Sequence, residues 1–271
     1  MSRYLVRIFY LGNRYHGSQI QPKLATIQGE IIHAFSDWSG ENHTTKTIQL
    51  AGRTDRGVHS LGQIGLIQTD KNLAIEEVNR LLPDDIVLWA HVEAPPNFNV
   101  RYDILFRHYR YYWSTNKPLD VPKMQHAAQQ LIGLHNFSRF SKPNPNRTNI
   151  STVLNIAVVN HTGLLTIDIQ GTSFLWKMVR KIVTLLIKIG QHNVKPSIVG
   201  ELLSGKYISG GIHPAPPECL VLMESVIPIE MHPNISALHR IGGKIRDYKD
   251  MLSRVTKTLA HLNGDLPFSE Y

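Results

Sequence analysis

β-branched and aromatic residues crowd positions 4–11, and after Thr26 the apolar residues Ile27, Ile31, Ile32, Phe35 and Trp38 recur at intervals of three and four. Side chains alternate across a strand and return to one face of a helix every 3.6 residues. The pattern therefore predicts a strand over 4–11 and a helix opened by Thr26 as its N-cap. A short run at 47–50, an alternating run at 58–67, a helical stretch at 74–82 and a strand at 86–92 follow. Pro83-Asp84-Asp85 reads as the turn into that last strand, and Pro95-Pro96 as the exit from it. The order is β-α-β-β-α-β.

The same order returns more loosely: a strand over 104–114, a helix over 121–132 opened by Asp120, and strands over 152–159 and 164–169. A long helix over 174–189 is expected next, capped by Ser173 and closed by Gly190, then a short helix over 197–203 and a strand over 220–227. The class is α+β, and two such halves side by side form a groove wide enough for a folded nucleic acid. The segment 137–149, rich in Ser, Pro, Asn and Arg, reads as an exposed loop able to close on a ligand. From 235 to 262 the positions Leu238, Ile241, Ile245, Tyr248, Leu252, Val255 and Leu259 mark an amphipathic helix that packs on the body or on a partner subunit. Three units are expected: 1–100, 101–228 and a helical extension over 229–271.

Charge sharpens this picture. Of 29 Lys plus Arg, 13 fall in residues 101–200 against only 3 of the 21 Asp plus Glu, so this block carries the whole basic excess of a chain whose net charge is +8. Arg107-His108-Tyr109-Arg110-Tyr111-Tyr112-Trp113 interleaves cations with rings, which suits a polyanion whose phosphates pair while its bases stack. On net charge alone a solvated basic face is the better reading. The single cysteine, Cys219, excludes an internal disulfide scaffold and reads as a structural thiol in a buried strand. No stretch reads as a signal peptide or membrane span, so a soluble, cytoplasmic protein is expected.

Gly242-Gly243-Lys244 lacks the spacing of a phosphate loop, and there is no dinucleotide-binding glycine turn. The 14 histidines form no metal-binding pattern. No cofactor, nucleotide or metal is expected. The concentrated chemistry is Ala51-Gly52-Arg53-Thr54-Asp55-Arg56-Gly57-Val58-His59, a charged knot between apolar runs. Glycines allow a tight turn, and flanking arginines favour an ionised Asp55 able to act as base or nucleophile. A hairpin turn held by a surface ion pair fits those residues equally well.

Gly52-Arg53-Thr54-Asp55-x-Gly57-Val58-His59 resembles the catalytic motif of the tRNA pseudouridine synthase A family. Further segments are similar in the family's order. They begin with Tyr10-x-Gly12-x-x-Tyr15-x-Gly17-Ser18-Gln19, Thr26-Ile27-Gln28, Asn79-x-Leu81-Leu82-Pro83-x-Asp85-Ile86 and Phe98-Asn99-x-Arg101-Tyr102. Arg107-His108-Tyr109-Arg110-Tyr111, Leu131-Ile132-Gly133, His135-Asn136-Phe137 and Phe174-Leu175-Trp176-Lys177-Met178-Val179-Arg180 complete a resemblance over about residues 4–226.

The resemblance implies the pseudouridine synthase fold, with two ferredoxin-like or RRM-like halves whose mainly antiparallel sheets lie side by side around an RNA-binding cleft. It also implies isomerisation of uridine to pseudouridine at positions 38 to 40 of the tRNA anticodon stem and loop, without cofactor, by a homodimer sharing one tRNA. By match to the family, Asp55 is the catalytic carboxylate, Arg180 pairs with it, and Tyr109 stacks on the flipped uracil. Arg53 fills the space that base leaves, which lowers the cost of unstacking. Arg56, His59, Gln19, Arg107 and Arg110 join them as RNA or base contacts. Whether Asp55 attacks sugar or ring, or removes a ribose proton, stays open. Arg56 stands where a small alanine is usual and Ser18 where bacterial members carry tryptophan, which points to an archaeal-like branch. The alternative is an RNA-binding relative without catalysis; a nuclease or glycosidase would need partners for Asp103, Asp120 or Asp168 that the sequence does not name.

Overall fold

The computed structural model describes residues 1–115, 117–143, 148–206 and 209–264. The N-terminal part runs β1 (Ser2–Tyr10), α1 (Ile27–Ser39), β2 (Ile48–Leu50), β3 (His59–Thr69), α2 (Ile75–Leu81) and β4 (Ile86–Glu93). The rest runs β5 (Phe106–Ser114), α3 (Val121–Gln129), β6 (Gly133–Asn136), β7 (Ile150–His161), β8 (Leu164–Gly171), α4 (Met178–Gly190), α5 (Ile198–Leu203), β9 (Leu220–Val226) and α6 (Ile235–Gly264). No helix among the described residues is long and apolar enough to cross a membrane.

Local chemistry sets several boundaries as the pattern predicts. Thr26 Oγ1 accepts the Gly29 amide at the start of α1, and Gly40 closes that helix with φ of 75°. Asp120 accepts the Lys123 amide at the start of α3. Asn79 of α2 donates to the Leu88 carbonyl and accepts its amide, both at 2.8 Å, which fixes the helix against β4.

The α+β class holds, with one refinement: the two expected sheets are one. Among the described residues the strands run β4-β1-β3-β9-β5-β8-β7-β6, with β2 on β3. The seam is a parallel contact between β3 and β9 through His59 with Val221 and Ser60 with Leu222, while the other pairings are antiparallel. Gly62 makes that contact possible, because a Cβ there would meet the Met223 carbonyl oxygen at 2.7 Å. Among the described residues β9 is thus the last strand in sequence but sits at the middle of the sheet.

Alternation along β1 divides the core. Val6, Ile8 and Tyr10 pack under α1 and α2, whereas Leu5 faces Phe98, Val100 and Ile104 on the other side and Phe9 meets Ala237 and Ile241 of α6. In the C-terminal part Tyr109, Tyr111, Ile167 and Ile169 pack against Met178, Ile182 and Leu186 of α4. Each fully buried Ile or Leu contributes about 1.5–3 kcal/mol, so α4 is a rigid support.

Several boundaries differ from expectation. α4 begins at Met178, because Phe174–Lys177 form a turn with Lys177 left-handed at φ of 65°, and Ser173 caps nothing. Gly190 is the last helical residue, and its missing Cβ admits Met124 Sδ, which a methyl group would meet at 2.5 Å. The helix expected over 121–132 stops at Gln129, and Gly133–Asn136 forms β6 against β7, an edge strand that the polar sequence hid. Phe137 and Phe140 are fully buried, so the start of the segment expected to be an exposed loop is anchored in the core; positions 144–147 lie outside the described residues. Cys219 ends a 3-10 turn just before β9 instead of lying within a strand, and burial pushes its thiol up.

α6 is half seated. Asn234 caps it by accepting the Ala237 amide, and Lys244 reaches Asp84 at 3.2 Å. Residues 251–260 are exposed, with Leu252, Val255 and Leu259 along one stripe. The end of the chain beyond 264 lies outside the described residues.

Candidate active site

The knot around Asp55 lies just before β3, where the two halves of the sheet meet. The Val58 amide donates to the Asp55 carbonyl at 3.2 Å, closing a tight turn in which Gly57 has φ of 85°, a region that admits glycine without strain. The preceding loop is stitched to the segment after β1. Ser18 Oγ accepts the Thr54 amide at 2.8 Å, the Ser18 amide donates to the Thr54 carbonyl at 3.1 Å, and Thr54 Oγ1 bonds Tyr10 Oη at 2.8 Å. Gly12 lies so close to Val58 that a Cβ would meet its carbonyl oxygen at 2.0 Å. The pairing of the motif at 10–19 with the motif at 52–59 is therefore a physical contact.

Arg180 enters from the first turn of α4. Its Nη1 lies 2.7 Å from Asp55 Oδ2, and its Nε donates to the Ala215 carbonyl at 2.5 Å. The Asp55 side chain is 21% exposed and that of Arg180 11%, so the pair is shielded while the carboxylate keeps an opening to solvent. On the other oxygen, Trp176 Nε1 donates to Asp55 Oδ1 at 3.1 Å. A carboxylate has about four lone-pair directions, so two donors leave room for a reacting partner.

Tyr109 is buried within reach of the charge of Asp55, with Phe174 edge-on to its ring at 5.3 Å. Burial, together with the charge of Asp55 and the nearby Tyr10, pushes the Tyr109 phenol well above its ordinary value, against the opposing pull of Arg107. Tyr109 is thus a neutral hydroxyl at physiological pH. Burial likewise pushes Tyr10 to about 12.

The remaining expected contacts fall in different places. Arg53 and Arg56 are exposed beside Asp55, and Gln19, half-buried, follows Ser18. Arg107 donates to the Ala51 carbonyl at 2.7 Å and to Thr172 at 2.9 Å, clamping the Asp55 loop to the end of β8. Arg110 is one residue out of phase with Tyr109 and so lies on the opposite face of β5, bonded to Asp168 at 2.8 Å beside His108. His59 Nδ1 accepts the Gly12 amide and Nε2 donates to the Glu218 carbonyl, both at 3.1 Å, and the ring lies against Tyr248 of α6. Its bonds are made within the fold. The residue that sequence reasoning did not single out is Trp176. Its spacing from Val179 and Val183, in phase with the apolar stripe, gives no sign of a polar role.

Two shielded imidazoles, His43 buried and His59 half-buried, make stability depend on pH. Burial holds both His43 and His59 below the ordinary histidine value of 6.5, with Glu41 and Glu218 opposing in part. The unfolded chain then binds more protons than the native state below that value, so this stability is fully present above about pH 6.5 and is lost as pH falls. The melting temperature is expected to be lower at about pH 5.5 than at about pH 7.5 in scanning calorimetry. Replacing both residues by Gln should shrink the difference; an unchanged difference would exclude these two histidines as its source.

Comparison with known proteins bears on the same residues. A family model described as tRNA pseudouridine synthase matches residues 127–226, which contain Arg180 and Trp176. The tRNA pseudouridine synthase A of Methanosarcina acetivorans is 40% identical over 224 residues, covering 82% of this chain and 83% of that protein. Those of Methanoculleus marisnigri and Methanococcoides burtonii are 37% and 34% identical, each with 96% of this chain covered. Identity of this level across nearly the full length, on a mixed α+β sheet with a carboxylate held at its seam, is decisive: the chain belongs to the tRNA pseudouridine synthase A family.

Proposed function

We propose that the protein isomerises uridine to pseudouridine in tRNA, at positions 38 to 40 of the anticodon stem and loop, with Asp55 as the catalytic carboxylate and no cofactor. The observation that carries this reading is the placement of Asp55 in a chain of this family. Its carboxylate stands at the sheet seam with one oxygen on Arg180 and the other on Trp176, and its charge reaches the buried Tyr109. The reaction breaks the N1 glycosidic bond, turns the uracil while it is held, and bonds C5 to C1′. The C5 proton leaves to solvent and N1 gains one, so the reaction is balanced without an added reagent. An ionised carboxylate serves it whether the first step is attack on sugar or ring, or removal of a ribose proton.

Residues 1–100 supply the carboxylate loop, and 101–228 the basic block with Tyr109 and Arg180. Arg53 fills the space left as the base swings out and Arg56 contacts the RNA, a reading supported by the exposure of both beside Asp55. Gln19 borders the same loop, whereas Arg107 acts through the loop it clamps. His59 and Arg110 support the fold around the site. The protein acts in the cytoplasm as a homodimer on one tRNA; the exposed apolar stripe of Leu252, Val255 and Leu259 supports the homodimer.

The test is tritium release from tRNA carrying 5-tritiated uridine, with carbodiimide mapping of the product. Release mapped to the anticodon arm is expected. No release from any tRNA, with binding intact, would replace this reading with that of a non-catalytic relative. Binding is expected to weaken linearly in log–log form with salt, because each phosphate contact releases counterions; a flat response would exclude a basic groove.

A further inference from the structure

We infer that Trp176 is a positioning residue for the reaction: its indole N–H fixes the rotation of the Asp55 carboxylate that Arg180 anchors at one oxygen. The inference rests on Asp55 being the reacting carboxylate. The terminal torsion of an aspartate is broad and roughly two-fold, so a single ion pair leaves the carboxylate plane free to turn. Arg180 binds Oδ2 and Trp176 binds Oδ1, at 2.7 and 3.1 Å, and two donors on two oxygens define the plane. The indole is a donor only and carries no charge, so it orients the group without a second cation competing for it.

The surroundings are built to hold the indole there. Phe174–Lys177 leave the helical path, Leu175 is buried in the core, and left-handed Lys177 turns the chain into α4. The Trp176 carbonyl accepts the Lys142 amide at 3.0 Å, and the Lys142 ammonium lies 4.1 Å from the indole ring centre, a cation–π contact from a separate segment. Yet Trp176 is 48% exposed. A large aromatic side chain held by backbone and cation, but left half in solvent, is placed for its polar edge more than for core packing.

Two substitutions separate the N–H from the ring. Trp176→Phe keeps the ring and removes the donor, whereas Trp176→Gln removes the ring and keeps an amide N–H three bonds from Cβ, as in tryptophan. Because the site is half exposed, neither opens a core cavity. Single-turnover tritium release and tRNA affinity by filter binding are measured for both, beside wild type and Asp55→Asn. Trp176→Phe is expected to slow the chemical step about tenfold to a hundredfold, the range for a lost hydrogen bond to a charged group, with affinity within about threefold of wild type. Trp176→Gln should be at least about threefold faster than Trp176→Phe. A normal rate for Trp176→Phe overturns the inference, as does a Trp176→Gln rate at or below that of Trp176→Phe, which would assign the ring itself to contact with RNA. Release that persists in Asp55→Asn is a different failure: it removes the catalytic assignment on which the inference stands.

Discussion

Asp55→Asn is expected to leave a folded, tRNA-binding protein that releases essentially no tritium, a loss of at least about 10⁴-fold in single-turnover rate. The substitution preserves shape and removes what the chemistry uses. A neutral amide neither attacks carbon nor accepts a proton at neutral pH. It also cannot satisfy both neighbours, because Arg180 Nη1 and Trp176 Nε1 each donate to one oxygen of the carboxylate. The amide nitrogen must face one of these donors, so a modest destabilisation of about 1–3 kcal/mol accompanies the loss. Affinity for tRNA should stay within about threefold, since Arg53, Arg56 and the basic block are untouched. Substantial release from the mutant would sink the assignment of Asp55.

The second large effect is expected at Arg180. Arg180→Met keeps an unbranched aliphatic stem and deletes the fork that links Asp55 to the Ala215 carbonyl. Asp55 then holds its charge in a mostly shielded place with only the indole as donor. Breaking a buried pair by removing one partner costs about 3–5 kcal/mol; with Asp55 21% exposed, about 2–3 kcal/mol is expected in urea unfolding. Loss of a preorganised donor in an active site slows chemistry by about 10²–10³-fold, and single-turnover release measures this directly. Arg180→Lys should recover only part of the rate, because an ammonium cannot reproduce the planar fork that reaches two acceptors in fixed directions. A normal rate combined with weaker binding and a salt slope smaller by about one would instead make Arg180 a phosphate contact.

The sequence shows most where physics acts over a few residues. The Thr26 cap, the stripe from Ile27 to Trp38, Asp120 before α3 and the long period of α6 each depend on neighbours within a turn or two, and each forms as its pattern says. The turn at Asp55–Gly57 and the basic block are equally local, and the ordered motifs were enough to suggest the family. Arg107 is the intermediate case. Its place beside the motif was legible, but its two carbonyl partners, Ala51 and Thr172, come from the two halves of the sheet on either side of the seam.

α4 begins at Met178 and not at 174, because periodicity carries through Trp176 and cannot tell a packed indole from one turned outward onto a carboxylate. Arg110 and Tyr109 are adjacent in sequence, yet strand alternation sends one to Asp168 on the back of the sheet and the other to the site. His59 belongs to the motif, but a loop, a 3-10 turn and α6 converge on it and use both nitrogens. By itself, then, the sequence determined the elements, the chemistry available and the family. Only the tertiary structure decided that the two halves share one sheet through a two-residue seam at His59 and Ser60, and that Trp176, 121 residues away, takes the oxygen of Asp55 that Arg180, expected there from the family motif, leaves free. The reason is physical: propensity and period act within one or two turns of chain, whereas the pairing of distant segments is settled by packing and hydrogen bonding of the whole sheet at once.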